Sequence, residues 1–212
     1  VAVALEKARL VDGLSRAVEE SIRALAGAIE AKDSYTRGHS DRVTHYTRLT
    51  AEAMGIGGRE LDVIVRAAIL HDVGKIGVPE YVLNKAGPLD ERELRLMRLH
   101  PEDGEKIVRV IPAMKEIMPL IRHHHEGFDG KGYPHGLAGE KIPIGARIMA
   151  VADTFDAMTS KRPYRNALSR QIAFEEIDRC AGAQFDPEVA RAFLDRAPTW
   201  PEATSVPSER AL

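Results

Sequence analysis

His71 and Asp72 stand side by side where an apolar helical pattern (Leu61, Ile64, Val65, Ala68, Ile69) runs out, and Lys75 follows one turn later, flanked by Gly74 and Gly77. Adjacent side chains on a helix point about 100° apart, so a single element can offer an imidazole and a carboxylate to different sides of one metal centre. The same residue types recur near other element boundaries. His39 is expected just before a helix, His100 at the end of another, His124 and His125 at the end of a third, and Asp153 within a fourth. Ligands near the ends of separate helices can converge on one pocket of a helical bundle.

Imidazole and carboxylate together suit iron, manganese or zinc, and the lack of thiolates removes the softest options. His39, His71, Asp72, His100, His124, His125 and Asp153 are too many groups for one ion. Two ions about 3.5–4 Å apart, bridged by a carboxylate and a hydroxide, would use them. Such a site activates water and clamps a phosphoryl group, so the chemistry implied is hydrolysis of a phosphodiester or phosphomonoester, with the bridging hydroxide as nucleophile and no separate base. Singly, each residue has an ordinary explanation: His39 as a polar residue at a helix N-terminus, His100 as a partner of a helix dipole, the histidine run 123–125 as a solvated loop. Three buried imidazoles without partners, or Asp153 unpaired in a core, would be costly, and the groups taken together favour the metal centre. His45 and His135 are read as surface or structural residues.

The elements that must position these groups are helical. Residues 3–32 read as one long helix, with Val11, Leu14, Val18, Ile22, Leu25 and Ile29 at steps of three and four. It is either packed on the core or a connector or dimerisation helix arriving from an upstream domain. Further helices are expected over 41–54, 59–72, from Asp90 towards His100-Pro101, over 104–110, 112–125, 144–160 and 169–181, and onward from Asp186. Asp90 with Glu93 resembles a capping box, and Asp186-Pro187 an N-cap with proline in first position. Residues 73–88 read as loop. Residues 126–143 hold five glycines and two prolines, too many breakers for an element interior, and a connection of that length is functional or disordered. The expectation is an all-α bundle with a helix over 1–30, a catalytic domain over 31–196 and a disordered tail over 197–212.

Composition narrows the class. Apolar residues make up 44% of the 212, charged residues 29%, and 30 Lys and Arg face 32 Asp and Glu for a net charge of −2. That balance argues against a broad nucleic-acid or membrane-binding face, so an anionic ligand must be held by a local cluster. The single cysteine, Cys180, excludes an internal disulfide framework and a multi-cysteine zinc site, and a reducing cytoplasm is expected. No apolar run reaches the roughly 20 residues of a membrane span, and no signal-peptide pattern precedes the first helix. The chain begins at Val1, which suggests a fragment of something longer.

In order along the chain, Thr36-Arg37-Gly38-His39-Ser40, His71-Asp72-Val73-Gly74-Lys75-Ile76-Gly77, His100-Pro101, His124-His125-Glu126 and Asp129-Gly130-Lys131-Gly132-Tyr133-Pro134 are followed by Ala146-Arg147-Ile148, Asp153, Asp156-Ala157, Arg162-Pro163-Tyr164-Arg165 and Phe185-Asp186-Pro187. This set resembles the HD-GYP family, a branch of the HD-domain metal-dependent phosphohydrolases, over about residues 31–194. The resemblance implies an HD-domain helical bundle with a Gly/Pro-rich GYP loop, and a bacterial phosphodiesterase that opens cyclic di-GMP to pGpG and in some members continues to GMP. It implies two divalent ions, iron or manganese foremost, held by His39, His71, Asp72, His100, His124, His125 and Asp153, with Asp72 bridging. Lys75 matches the lysine beside the scissile phosphate, Arg162 and Arg165 match phosphate-gripping positions, and Tyr133 lines the pocket. Some members place a glutamate for a third ion four residues before the first histidine; here that position is Tyr35, so two ions are expected.

Two other readings belong to different classes. One is a weakly active signalling module that binds the dinucleotide, or a diguanylate cyclase domain, through the loop 126–143; degenerate modules tend to lose the ligand set that this chain keeps. The other, an HD hydrolase of linear nucleotides, is disfavoured by Gly130-Lys131-Gly132-Tyr133-Pro134. A sensory or receiver domain is the expected upstream partner if the chain is a fragment.

Overall fold

The computed structural model describes residues 2–33, 38–160 and 166–200. Apolar spacing of three and four residues becomes ten α-helices among the described residues: α1 (Ala2–Lys32), α2 (His39–Ala53), α3 (Gly58–Leu70), α4 (Glu80–Leu83), α5 (Glu91–Met97), α6 (His100–Arg109), α7 (Met118–His123), α8 (Ile144–Thr159), α9 (Arg170–Arg179) and α10 (Pro187–Arg196). No strand forms among the described residues; isolated bridges pair Asp129 with Ala138 and Ala181 with Phe185. The architecture is all-α, as expected.

A helix apolar around most of its circumference must be enclosed, and α8 is that helix. Its Ile148, Met149, Val151, Ala152 and Phe155 are all buried, packed among Val43 and Tyr46 of α2, Ile64 and Ala68 of α3, Ile121 of α7, Ile177 of α9 and Phe193 of α10. Phe155 stacks on Phe174 at 5.4 Å and meets Tyr46 and Phe193 edge-on at 5.0 Å each. The C-terminal part of α1 joins this core through Ile22, Ala26 and Ile29, whereas Val3, Leu5 and Leu10 near its start are exposed.

Several local signals act as read. The Asp90 carboxylate accepts the Arg92 and Glu93 N–H groups while Glu93 accepts the Asp90 N–H, a complete capping box. Asp186 caps α10 ahead of Pro187. Other expectations are corrected. The stretch 73–88 is not simple loop: it contains a 3-10 helix, Val73–Gly77, and α4, whose Val82 and Leu83 pack on Val78. The region 112–125 divides into a 3-10 turn, Pro112–Met114, and α7. His39 does not precede α2 but opens it. His100 does not end a helix: α5 stops at Met97 and His100 starts α6, with Pro101 in the first turn, where its missing N–H has no partner to lose. Trp200, assigned to the tail, packs on Phe193 at 5.4 Å, and residues 201–212 lie outside the described residues.

Candidate metal centre

Helix ends supply most of the site. His39 begins α2, His71 and Asp72 leave α3, His100 begins α6, His124 and His125 leave α7, and Asp153 comes from the middle of α8. Gly74 allows two of these ends to meet. A Cβ built on it would lie 1.9 Å from the His100 carbonyl oxygen and 2.4 Å from the Gly104 backbone nitrogen. Only a residue without a side chain lets α6 approach the 3-10 helix that closely.

Among the described residues, three groups of ligand-type atoms could each hold an ion: His123, Glu126 and His135, which includes none of the expected ligands, and two made up of expected ligands, His39, His71 and Asp153, and His100, His124 and His125. Asp72 links the last two. Its Oδ2 lies 3.4 Å from His71 Nε2 and 3.7 Å from His39 Nε2, and its Oδ1 lies 3.4 Å from His100 Nε2. One carboxylate thus turns an oxygen to each group. Asp153 Oδ1 is 3.4 Å from His39 Nε2, and the Nε2 atoms of His100 and His124 are 3.3 Å apart.

The surrounding backbone orients these imidazoles. His71 Nδ1 faces the Ala68 carbonyl at 2.8 Å, His100 Nδ1 that of Met97 at 2.8 Å, and His124 Nδ1 that of Ile121 at 2.6 Å. Each is the carbonyl three residues back, and each bond leaves the Nε2 lone pair turned inward. His39 is held differently: its Nδ1 sits 2.7 Å from Asp156 Oδ2, and Asp156 is itself held by Arg42 Nε at 2.6 Å. Asp156 lies one turn after Asp153 on the same face of α8, a spacing visible in the sequence but given no role there.

The charge states suit a cation at every one of these groups for which burial and neighbours set a direction, except His39. Burial works to keep His39 neutral, but hydrogen bonds to Asp153 and Asp156 outweigh it and raise its pKa to about 9. Burial lowers that of His100 to about 3 and also pulls down His124 and His125. Burial opposes ionisation of Asp72, yet Lys75, His71 and His100 hold it well below the usual carboxylate range. His71 Nε2 is buried without a hydrogen-bond partner among the described residues, an expense that a metal ion in line with its lone pair would remove. The donor set therefore fits divalent transition metals.

A cleft of about 400 Å³ opens beside the centre, with His124, His125 and Asp153 among its lining residues and Tyr133, Arg98, Thr154 and Gln184 further out. Tyr133 stacks on His125 at 4.9 Å, and the Arg98 guanidinium lies over the Tyr133 ring, 5.2 Å from its centroid. Glu126, buried at the start of the loop 126–143, accepts the backbone N–H groups of His135 at 2.8 Å and Leu137 at 3.1 Å. Two bonds from one carboxylate thus fold the loop back over its own origin. Lys75 Nζ lies 2.6 Å from Asp72 Oδ2. Of the expected site residues, the structure brings together His39, His71, Asp72, Lys75, His100, His124, His125, Tyr133 and Asp153; Arg162, Arg165 and Tyr35 lie outside the described residues. His45, read as surface or structural, packs its ring against Tyr46 at 5.5 Å. His135 is exposed, with Nε2 3.1 Å from Arg122. Sequence reasoning missed the roles of Asp156, Glu126 and Arg98.

The model of the HD domain family matches residues 23–189, which include every expected ligand. This chain belongs to the HD domain family, in its HD-GYP branch. It is 41% identical over 198 residues to the cyclic di-GMP phosphodiesterase response regulator RpfG of Xanthomonas campestris pv. campestris, covering 91% of this chain and 52% of that protein. It is 35% identical over 211 residues to 3'3'-cGAMP-specific phosphodiesterase 2 of Vibrio cholerae, covering 97% of this chain and 39% of that protein. The HD-GYP chain thus spans about half the length, or less, of these curated relatives. Its fold matches that of a solved cyclic GMP-AMP specific phosphodiesterase of V. cholerae, with a TM-score of 0.66 at 17% identity over 88% of this chain and 50% of that one. Among the described residues no helix is long and apolar enough to cross a membrane.

Proposed function

We propose that this HD-GYP domain is a metal-dependent phosphodiesterase that opens cyclic di-GMP to pGpG at a two-metal His/Asp centre. The observation that carries the reading is Asp72, whose two oxygens face two separate groups of imidazoles. In this reading His39, His71 and Asp153 would hold one ion and His100, His124 and His125 the other, with Asp72 available to both. The orphaned Nε2 of His71 supports it. Iron or manganese fits the N/O ligand set. When bound, such a pair supplies a water nucleophile at neutral pH and neutralises charge on the phosphoryl oxygens.

The chain's own residues bind and orient the substrate. Burial opposes the charge on Lys75, but Asp72 and Asp33 more than compensate and raise its pKa, so Nζ meets a phosphate oxygen as a full cation. Burial raises the Tyr133 pKa, so its phenol stays protonated and donates a hydrogen bond. Its ring stacks on that of His125, one of the expected ligands. Arg162 and Arg165, which match the phosphate-gripping positions of the family, carry guanidinium groups of the kind suited to phosphate recognition. Cyclic di-GMP is preferred over 3'3'-cGAMP as the substrate because the relative named for the former is the more similar of the two. Further hydrolysis of pGpG to GMP, a homodimer through α1, a sensory or receiver domain upstream, contact with diguanylate cyclase domains and a cytoplasmic setting belong to the same proposal.

The test is turnover by protein loaded anaerobically with Fe(II) or Mn(II), with cyclic di-GMP, 3'3'-cGAMP, pGpG and ordinary nucleotides in competition. The expected result is pGpG formation from cyclic di-GMP, lost in Asp72→Ala. No turnover with either metal, and no difference between the parent and Asp72→Ala, defeats the proposal. Tight dinucleotide binding without turnover points instead to a binding module.

A further inference from the structure

We infer that the C-terminal end of α1, through Lys32 and Asp33, is a positioning element for Lys75, so that these two residues govern turnover without emptying the metal centre. The inference rests on the reading of Lys75 as the residue beside the scissile phosphate. Lys32 Nζ donates to the carbonyl oxygens of Ile76 and Val78 at 2.6 Å each and reaches that of Lys75 at 3.5 Å. Asn84 Nδ2 donates back to the Lys32 carbonyl at 3.2 Å. Asp33, only 4% exposed, sets Oδ2 3.7 Å from Lys75 Nζ. The ammonium is therefore shared by two carboxylates, one on the exit of α3 and one on the exit of α1.

The physical need is plain. A lysine ammonium is a point charge on a flexible four-carbon stem and needs more than one anchor to hold a position. The 3-10 helix that carries it is short, and carbonyls at such an end have no partner within the helix. Val73, Gly74 and Val78 are buried, but Ile76 and Gly77 between them are exposed, and it is this exposed turn beside Lys75 that Lys32 ties down. The ligand groups, by contrast, come from α2, α3, α6, α7 and α8, and α1 supplies none. α1 is 31 residues long, roughly 46 Å at 1.5 Å per residue, and Val3, Leu5 and Leu10 near its start are exposed. Lys32 and Asp33 reach the segment 75–78, whereas the contact of α1 with the start of α2 runs through a different residue, Glu30, which accepts the Gly38 and Ser40 N–H groups on either side of His39.

The experiment uses the full chain loaded with Mn(II), as parent, Lys32→Met, Asp33→Asn and Asp33→Glu. Asp33→Asn and Lys32→Met should lower kcat for cyclic di-GMP by about ten- to a hundredfold, as expected for a misplaced catalytic group. KM and bound manganese per chain should stay close to the parent's, and Asp33→Glu should recover part of the loss. In a Lys75→Met background, Asp33→Asn should cause no further loss, because its effect runs through the missing ammonium. A kcat within twofold of the parent, an additive loss in the Lys75→Met background, or manganese lost in step with activity overturns the inference. Reductive methylation of Lys75, followed by peptide mass spectrometry, scores its positioning without turnover. It should be several-fold faster in both Asp33→Asn and Lys32→Met, and unchanged rates overturn the inference. A parent chain that does not hydrolyse cyclic di-GMP defeats the functional reading, and the methylation rates then decide the positioning role by themselves.

Discussion

His39 makes metal binding a proton-release reaction, and the structure sets its pH window. Without metal, Asp153 and Asp156 hold its pKa at about 9 against the effect of burial. Its Nδ1 faces Asp156, so the proton that must leave before a metal can bind is on Nε2. At pH 7 about one site in a hundred then has a free lone pair, which weakens apparent affinity about a hundredfold, or about 3 kcal/mol. His100, at about 3, is already neutral and adds no such dependence, and burial acts in the same direction on His124 and His125. Manganese binding to the His39 group should therefore strengthen about tenfold per pH unit from 7 towards 9 and level off above. Calorimetry in buffers of different ionisation enthalpy should count about one proton released per chain near pH 7.5 and almost none near pH 10. Asp156→Asn removes one of the two carboxylates and should move the inflection to lower pH. The metal-free protein should show the opposite trend. A pKa raised from 6.5 to about 9 gives stability that is fully present below pH 6.5 and lost as pH rises through 9. That loss is about 3 kcal/mol, or roughly 6–12 °C in Tm for a domain of this size. Affinity independent of pH between 7 and 9, with no proton released, would refute the reasoning.

Two further perturbations test the scaffold around the centre. Gly74→Ala forces a methyl group to within 1.9 Å of the His100 carbonyl, so the 3-10 helix and α6 must separate; the expected loss is about 3 kcal/mol, with a fall of one in metal per chain as His100 is displaced, whereas an unchanged Tm would count against the close approach. Glu126→Gln keeps the size but turns an amide donor towards one of the two backbone N–H groups that bond separate carboxylate oxygens; about 1–3 kcal/mol should be lost, with faster amide exchange at His135 or Leu137, higher KM and unaltered metal content, and exchange identical to the parent's at both would show that Glu126 does not anchor the loop.

Much of this protein is local and therefore legible in sequence. Helices with a sustained apolar period, such as α1, α3 and α8, follow from the spacing of side chains on one strand of backbone. The Asp90–Glu93 box and the Asp186-Pro187 cap are local hydrogen-bond chemistry within a few residues. The ligand types also stand in the sequence, because imidazoles and carboxylates near helix ends have few inexpensive alternatives. His100 shows the limit of local reading: Pro101 is as compatible with a helix start as with a stop, and only the packing of α6 on the 3-10 helix chooses.

What the sequence by itself determined is the helical class, the family and the residue types offered to the candidate centre. What only the tertiary structure decided is the grouping: which imidazoles face which oxygen of Asp72, that Asp156 reaches His39 across 117 positions of chain, and that Lys32 and Asp33 reach the segment carrying Lys75. The reason is physical. Propensity, caps and periodicity act over about one turn of backbone, whereas a charge or hydrogen bond between elements depends on angles and approaches fixed by the packed core as a whole.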